Sequence, residues 1–104
     1  MHQALAMLLT ETVLHAAYVG QDSYGSPTYA PAVERPAKNQ AMVRRVVDMT
    51  GQERVSRGKL FLDGTFLLDV RDRLTLEDGT SQAILSLGDV RDINGRLHHW
   101  EVLI

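Results

Sequence analysis

The chain contains no cysteine. That excludes a disulfide framework, a zinc–thiolate site and a thiol nucleophile, and it fits a reducing compartment. Long hydrophobic runs are also missing. The most apolar stretch, Ala4 to Leu9, is far shorter than the roughly 20 residues a membrane-spanning helix needs. It also lacks the basic lead of a secretory signal, so a soluble, unprocessed protein with no membrane partner is expected. Proline is scarce and local, its three residues all lying between Pro27 and Pro36. Neither sign of charge dominates: 11 Lys and Arg stand against 13 Asp and Glu, a formal net charge of −2. A sequence-independent grip on nucleic acid usually needs a strongly basic face, which this balance does not supply.

Catalytic patterns are absent as well. No glycine-rich phosphate loop follows a strand and opens a helix, and no serine sits in a nucleophile-elbow setting. Asp69, Asp72, Glu77, Asp78, Asp89 and Asp92 fall at strand ends and turns, where a carboxylate caps nearby backbone. His98 and His99 are adjacent. On a strand their side chains point to opposite faces, one beside Trp100 and one toward solvent, so they do not form a ligand pair. His15 could join either, but spacing does not show it. The residues therefore suggest no enzyme, no metal site and no cofactor.

What is present is a β pattern. Its clearest part runs from Leu67 to Ile104 and reads as three strands. Leu74 and Leu76 alternate with polar residues up to the turn at Asp78-Gly79. A run from Gln82 to Val90 follows, then the turn at Asn94-Gly95. The last run places His98, Trp100, Val102 and Ile104 on one face. Period-two alternation bounded by Asp-Gly and Asn-Gly is a strong hairpin signal. Leu74, Leu76, Trp100, Val102 and Ile104 are the expected core.

Upstream, Glu11 to Val19 reads as a strand. Ala41 to Met49 and Glu53 to Leu62 read as a hairpin about Thr50-Gly51-Gln52, and Asp63-Gly64 turns the chain again. Between Gly20 and Pro36 lies an irregular stretch holding every proline, with Tyr24 and Tyr29. A loop this long in so small a domain tends to be functional or disordered. Residues 1–10 read either as a short helix or as an arm docking on a neighbour. The sum is an all-β, single-domain chain (residues 1–104): a small β-barrel of about six short antiparallel strands with one long loop, 20–36. Basic residues, Arg44 and Arg45 among them, gather between the loop and the hairpin. They read as solvated strand faces, with a basic rim for an acidic partner or passing DNA as the sharper alternative.

Three stretches carry a family resemblance from about Thr12 to the C-terminus: GQDSYGSPTYAP, TGQERVSRGKLFLDG, and VRDRLTLEDGTSQAIL followed by INGRLHHWEVLI. In order and spacing they resemble the small head–tail joining (head-closure or stopper) proteins of tailed phages with long non-contractile tails. Arg71-Asp72 stands where a Gly-Asp pair is common in that family, and residues 1–10 have no counterpart. The resemblance implies a small barrel in a homo-oligomeric, typically dodecameric, connector ring of the virion. It implies contacts with portal and adaptor proteins, the tail terminator and the packaged double-stranded DNA. Tyr24, Tyr29, Arg44, Arg45, Thr50, Gly51 and Gln52 are the candidate partner or channel residues, on the two candidate loops. Competing readings are a tail-side terminator or adaptor of the same barrel type, an OB-like barrel for single-stranded nucleic acid, and a ligand carrier with a cavity near His98 and Trp100.

Overall fold

The computed structural model describes residues 9–48 and 50–104; most of the segment expected as helix or arm, and Met49, lie outside them. Among the described residues nine strands form: β1 (Glu11–Ala16), β2 (Tyr18–Gln21), β3 (Pro27–Tyr29), β4 (Val33–Val47), β5 (Glu53–Asp63), β6 (Arg73–Thr75), β7 (Ser81–Ala83), β8 (Ser86–Arg91) and β9 (Leu97–Leu103). Seven make one antiparallel sheet in the order β7-β6-β1-β4-β5-β9-β8, and β2 pairs with β3 alone. The all-β expectation holds, but the sheet is not a closed barrel.

The two edge strands, β7 and β8, are nevertheless consecutive in the chain, with only Ile84 and Leu85 between them. Three Cα steps span at most about 11 Å, so the far edges of the sheet must come together and the sheet must roll. The run expected as one strand, Gln82 to Val90, starts on one edge and finishes on the other.

The roll encloses the core. Period-two alternation sends Leu60 and Leu62 of β5, Leu74 of β6, and Trp100 and Val102 of β9 inward, beside Val13 and Ala37. Leu60 faces Val102 and Leu62 faces Trp100 across the β5–β9 ladder. Ile84 plugs the seam and Ile104 the lower end. Of the expected core, Leu74, Trp100, Val102 and Ile104 are buried, and Leu76 is half-buried against the cluster. The Ser56 hydroxyl lies 3.1 Å from the carbonyl oxygen of Gly58 and 3.0 Å from that of Ile104, fastening the end of the chain to β5.

Four hairpins use one turn chemistry. In Asp22–Ser26, Asp48–Gln52 and Asp92–Arg96 the Asp N–H donates to the carbonyl four residues on, while the Gly N–H returns to the Asp carbonyl. The Asp carboxylate also accepts two further backbone N–H bonds. Leu76–Thr80 repeats the backbone pattern without the leading Asp. In these four turns Gly25, Gly51, Gly79 and Gly95 take positive φ. Each loop is thus a type I turn closed by a left-handed glycine.

Residues 20–36 are not an irregular loop. They form the β2–β3 hairpin and the start of β4. Pro36 pairs with Thr12 of β1, and the β5 ladder begins only at Ala37. The missing N–H therefore falls where β4 is laddered on one side.

Two substitutions test this packing. Trp100→Ala removes a buried indole whose N–H donates to the Phe66 carbonyl at 3.0 Å. Chemical denaturation should show a loss of about 3–5 kcal/mol. Gly64→Ala would place a Cβ 2.5 Å from the Leu97 carbonyl oxygen and 2.9 Å from that of His98. Backbone cannot yield as a side-chain tip does, so a loss of about 1–3 kcal/mol is expected; an unchanged denaturation midpoint would contradict the register at β9.

Candidate functional site

The chemistry-bearing side chains separate into three places: a buried polar network at one end of the roll, a histidine pair on β9, and the β4–β5 arm.

The network centres on His15 and Asp72, 57 residues apart in sequence and 2.7 Å apart through Nε2 and Oδ2. Their side chains are each 4% exposed. His15 occupies an inward position opposite Leu74. Arg35 Nε approaches His15 Nδ1 at 3.4 Å. An arginine only donates, so Nδ1 accepts and Nε2 carries the proton that goes to Asp72. Asp72 also accepts from the N–H of Tyr18 (Oδ1, 2.8 Å) and of Asp69 (Oδ2, 3.0 Å). The Arg35 guanidinium lies 4.0 Å above the Phe66 ring, and the His15 ring packs on that ring from 5.3 Å. The buried carboxylate is thereby matched by a cation across a neutral imidazole, the arrangement that makes a buried charge tolerable. What it does structurally is clear: it ties the start of β2 and the 69–72 turn to β1.

Above Asp72 opens a cleft of about 510 Å3 between β2–β3 and β6–β7. Tyr18 and Tyr29 meet edge to face at 6.3 Å. Arg71 lies 4.6 Å from the Tyr18 ring and Arg73 4.5 Å from the Tyr29 ring. The guanidiniums occupy the aromatic faces that a stacked base would need. Arg71 also grips Asp69, whose carboxyl is held below its usual range chiefly by that hydrogen bond.

His98 and His99 depart from expectation. Their Nδ1 atoms lie 2.7 Å apart and their rings meet edge to face at 5.0 Å. Neither is simply turned to solvent; both are half-buried. The cause is an irregularity in the β8–β9 ladder, where Val90 faces His99 and Arg91 faces Leu97. His98 is the extra residue, and a bulge lets consecutive side chains share a face. One ring donates and the other accepts, so at least one is neutral. Among the described residues no group of three or more His, Asp or Glu side chains could hold a metal ion.

The arm is β4 and β5 beyond the main sheet. A second bulge sets Met42 and Val43 against the single residue Arg57. Past it, Arg44–Val47 pair with Glu53–Ser56 and, among the described residues, with no third strand. Val43 is 83% exposed and Val47 67%. Arg44 and Arg45 lie here, with Thr50, Gly51 and Gln52 at the tip. Tyr24 stands on the β2–β3 turn, 92% exposed, whereas Tyr29 is half-buried under Arg73. The structure therefore splits the candidate residues between the β2–β3 hairpin and the arm and does not gather them into one site. Sequence reasoning missed the His15–Asp72 contact, which no local spacing signals. It also missed the β2–β3 turn, although DSYG repeats the Asp-x-x-Gly of DMTG and DING.

Comparison with family models, curated proteins and solved structures returned no significant match.

Two measurements follow from these contacts. Asp72→Asn would turn an amide NH2 toward an N–H that now donates to carboxylate, so a loss of about 1–3 kcal/mol is expected on denaturation. At the arm tip, the Asp48 carboxyl is held down to about 2 from 3.8, chiefly by the Thr50 hydroxyl, with the Gln52 N–H and Arg54 adding. The folded value lies below the unfolded one. Its contribution is therefore complete above pH of about 4 and lost as pH falls through about 2. Carboxyl NMR titration should show a midpoint near that value, rising in Thr50→Ala; an unshifted midpoint in the variant would remove the hydroxyl as the cause.

Proposed function

We propose that this chain is a structural virion component, a head–tail connector (head-closure) subunit of a tailed phage. In this reading it assembles as a ring beneath portal and adaptor, helps retain packaged DNA and presents a surface to the tail. The resemblance of its ordered motifs to that family motivates the reading. The observation that carries it is the β4–β5 arm: a two-stranded ribbon extending beyond the rolled sheet, with valines exposed along it and Arg44 and Arg45 beside them. A ribbon without a third strand and with exposed apolar side chains is suited to meeting another chain. The turn at its tip is tightly bonded through Asp48, so the arm offers a defined shape. Among the described residues no helix is long and apolar enough to cross a membrane.

Co-sedimentation tests this. The protein is mixed with DNA-filled, tailless heads carrying portal and adaptor. Stoichiometric binding that stops DNA leakage is expected, and Val43→Asp/Val47→Asp should abolish binding while leaving the melting temperature near wild type. Binding to tail tubes instead would move the protein to the tail side of the joint. Binding to neither would overturn the connector reading and favour a nucleic-acid-binding barrel.

A further inference from the structure

We propose that the groove between the first half of β5 and β7 is a strand-acceptor site that takes an extended, acidic peptide segment of a partner protein. The argument begins with hydrogen-bond phase. In an antiparallel ladder, residues whose N–H and C=O face the partner alternate with residues whose groups face away. The bond from Asp48 N–H to the Gln52 carbonyl sets the phase of β4–β5, so Glu53 and Val55 point away from β4. Arg57 shares that phase, and its N–H does reach outward, to the Ile104 carbonyl at 2.9 Å. The bond from Leu76 N–H to the Thr80 carbonyl likewise turns Ser81 and Ala83 away from β6. Leu85 continues that phase, its N–H reaching the Leu103 carbonyl at 2.8 Å.

The two free edges therefore converge on the end of β9. β9 is paired to β5 on one side and to β8 on the other. Beside the end of β9 lies a groove with Val55 and Arg57 on one bank and Gln82, Ala83 and Leu85 on the other. The groove encloses about 320 Å3, with Ile104 at one end. Unpaired N–H and C=O groups on both banks are what an added strand satisfies.

Charge selects the occupant. Arg54 and Arg57 line the groove. Arg54 is held by Asp48, and Arg57 makes no ion pair among the described residues. From Arg44 to Arg57 the arm carries four arginines against Asp48 and Glu53, a net +2. A peptide with acidic side chains at alternate positions would pair its backbone with both banks and its carboxylates with Arg57. A nucleic acid strand would meet the arginines but leave the backbone edges unpaired. The site stands apart from the connector reading and does not depend on it.

The test is selection from a yeast-displayed library of random heptapeptides, followed by NMR and binding measurements on the full chain with the winning peptide. Expected are enrichment of Asp and Glu at alternating positions and amide shifts at Glu53, Val55, Ser81 and Ala83. Affinity should fall at least tenfold in Arg57→Glu and likewise when alternate peptide nitrogens are methylated. No enrichment, winners without acidic residues, or shifts confined to the Tyr18–Tyr29 cleft would each overturn the proposal. So would sedimentation showing that the protein self-associates and protects those four amides without peptide, since a second copy would then be the occupant. Tighter binding of oligothymidylate at the same amides would replace the peptide with nucleic acid.

Discussion

Two residues, Ile84 and Leu85, impose the shape of the whole molecule. They join strands at opposite ends of a seven-strand order, and a link so short leaves the sheet no choice but to roll. Right-handed strand twist supplies the curvature, and the link fixes how far it goes. The roll lets a chain of 104 residues bury Leu60, Leu62, Leu74 and Val102 completely. The same link keeps the sheet from closing by hydrogen bonds, because the run from Ser81 to Arg91 pairs first with β6 and then with β9. Core and seam are therefore two consequences of one constraint.

The polar interior follows from that shape. At the end covered by β2–β3 the interior is completed by His15, Asp72 and Arg35. A buried carboxylate is weak evidence for stability, since desolvation offsets the attraction it gains. Its value here is positional. Asp72 accepts from the backbone of both Tyr18 and Asp69, so one carboxylate fixes where β2 begins and where the 69–72 turn lies. The tyrosine–arginine stacks above it inherit that placement.

The parts legible in the sequence were those governed by neighbours in the chain. The Asp78-Gly79, Asn94-Gly95 and Thr50-Gly51-Gln52 turns and period-two runs gave the β6–β7, β8–β9 and β4–β5 hairpins, and Trp100, Val102 and Ile104 as core, because turn geometry and side-chain alternation act within a few residues. The β2–β3 hairpin was hidden by its prolines, although its turn has the same composition as the others. Pro36 looked like a terminator because a proline inside a strand is tolerated only beside an unpaired edge, and which edge is free is a property of the sheet. The paired rings of His98 and His99 depend on a bulge, and the His15–Asp72 bond on how the roll brings distant strands together. Neither has a local signature.

Open edges carry a risk that charge controls. A free strand edge invites pairing with another copy of itself. Here the exposed side of β5 lies among Arg44, Arg45, Arg54 and Arg57. Two arms meeting edge to edge would set arginine against arginine, so symmetric self-pairing is disfavoured while an acidic surface is attracted. A closed ring needs the opposite of symmetric pairing: each copy must present one face to a different face of the next. A basic arm on a chain whose net charge is −2 leaves the rest of the molecule acidic by difference. Arm-to-body contacts are then electrostatically permitted where arm-to-arm contacts are not. Heterologous assembly and an acidic occupant for the groove thus draw on the same asymmetry, four arginines concentrated on one two-stranded ribbon.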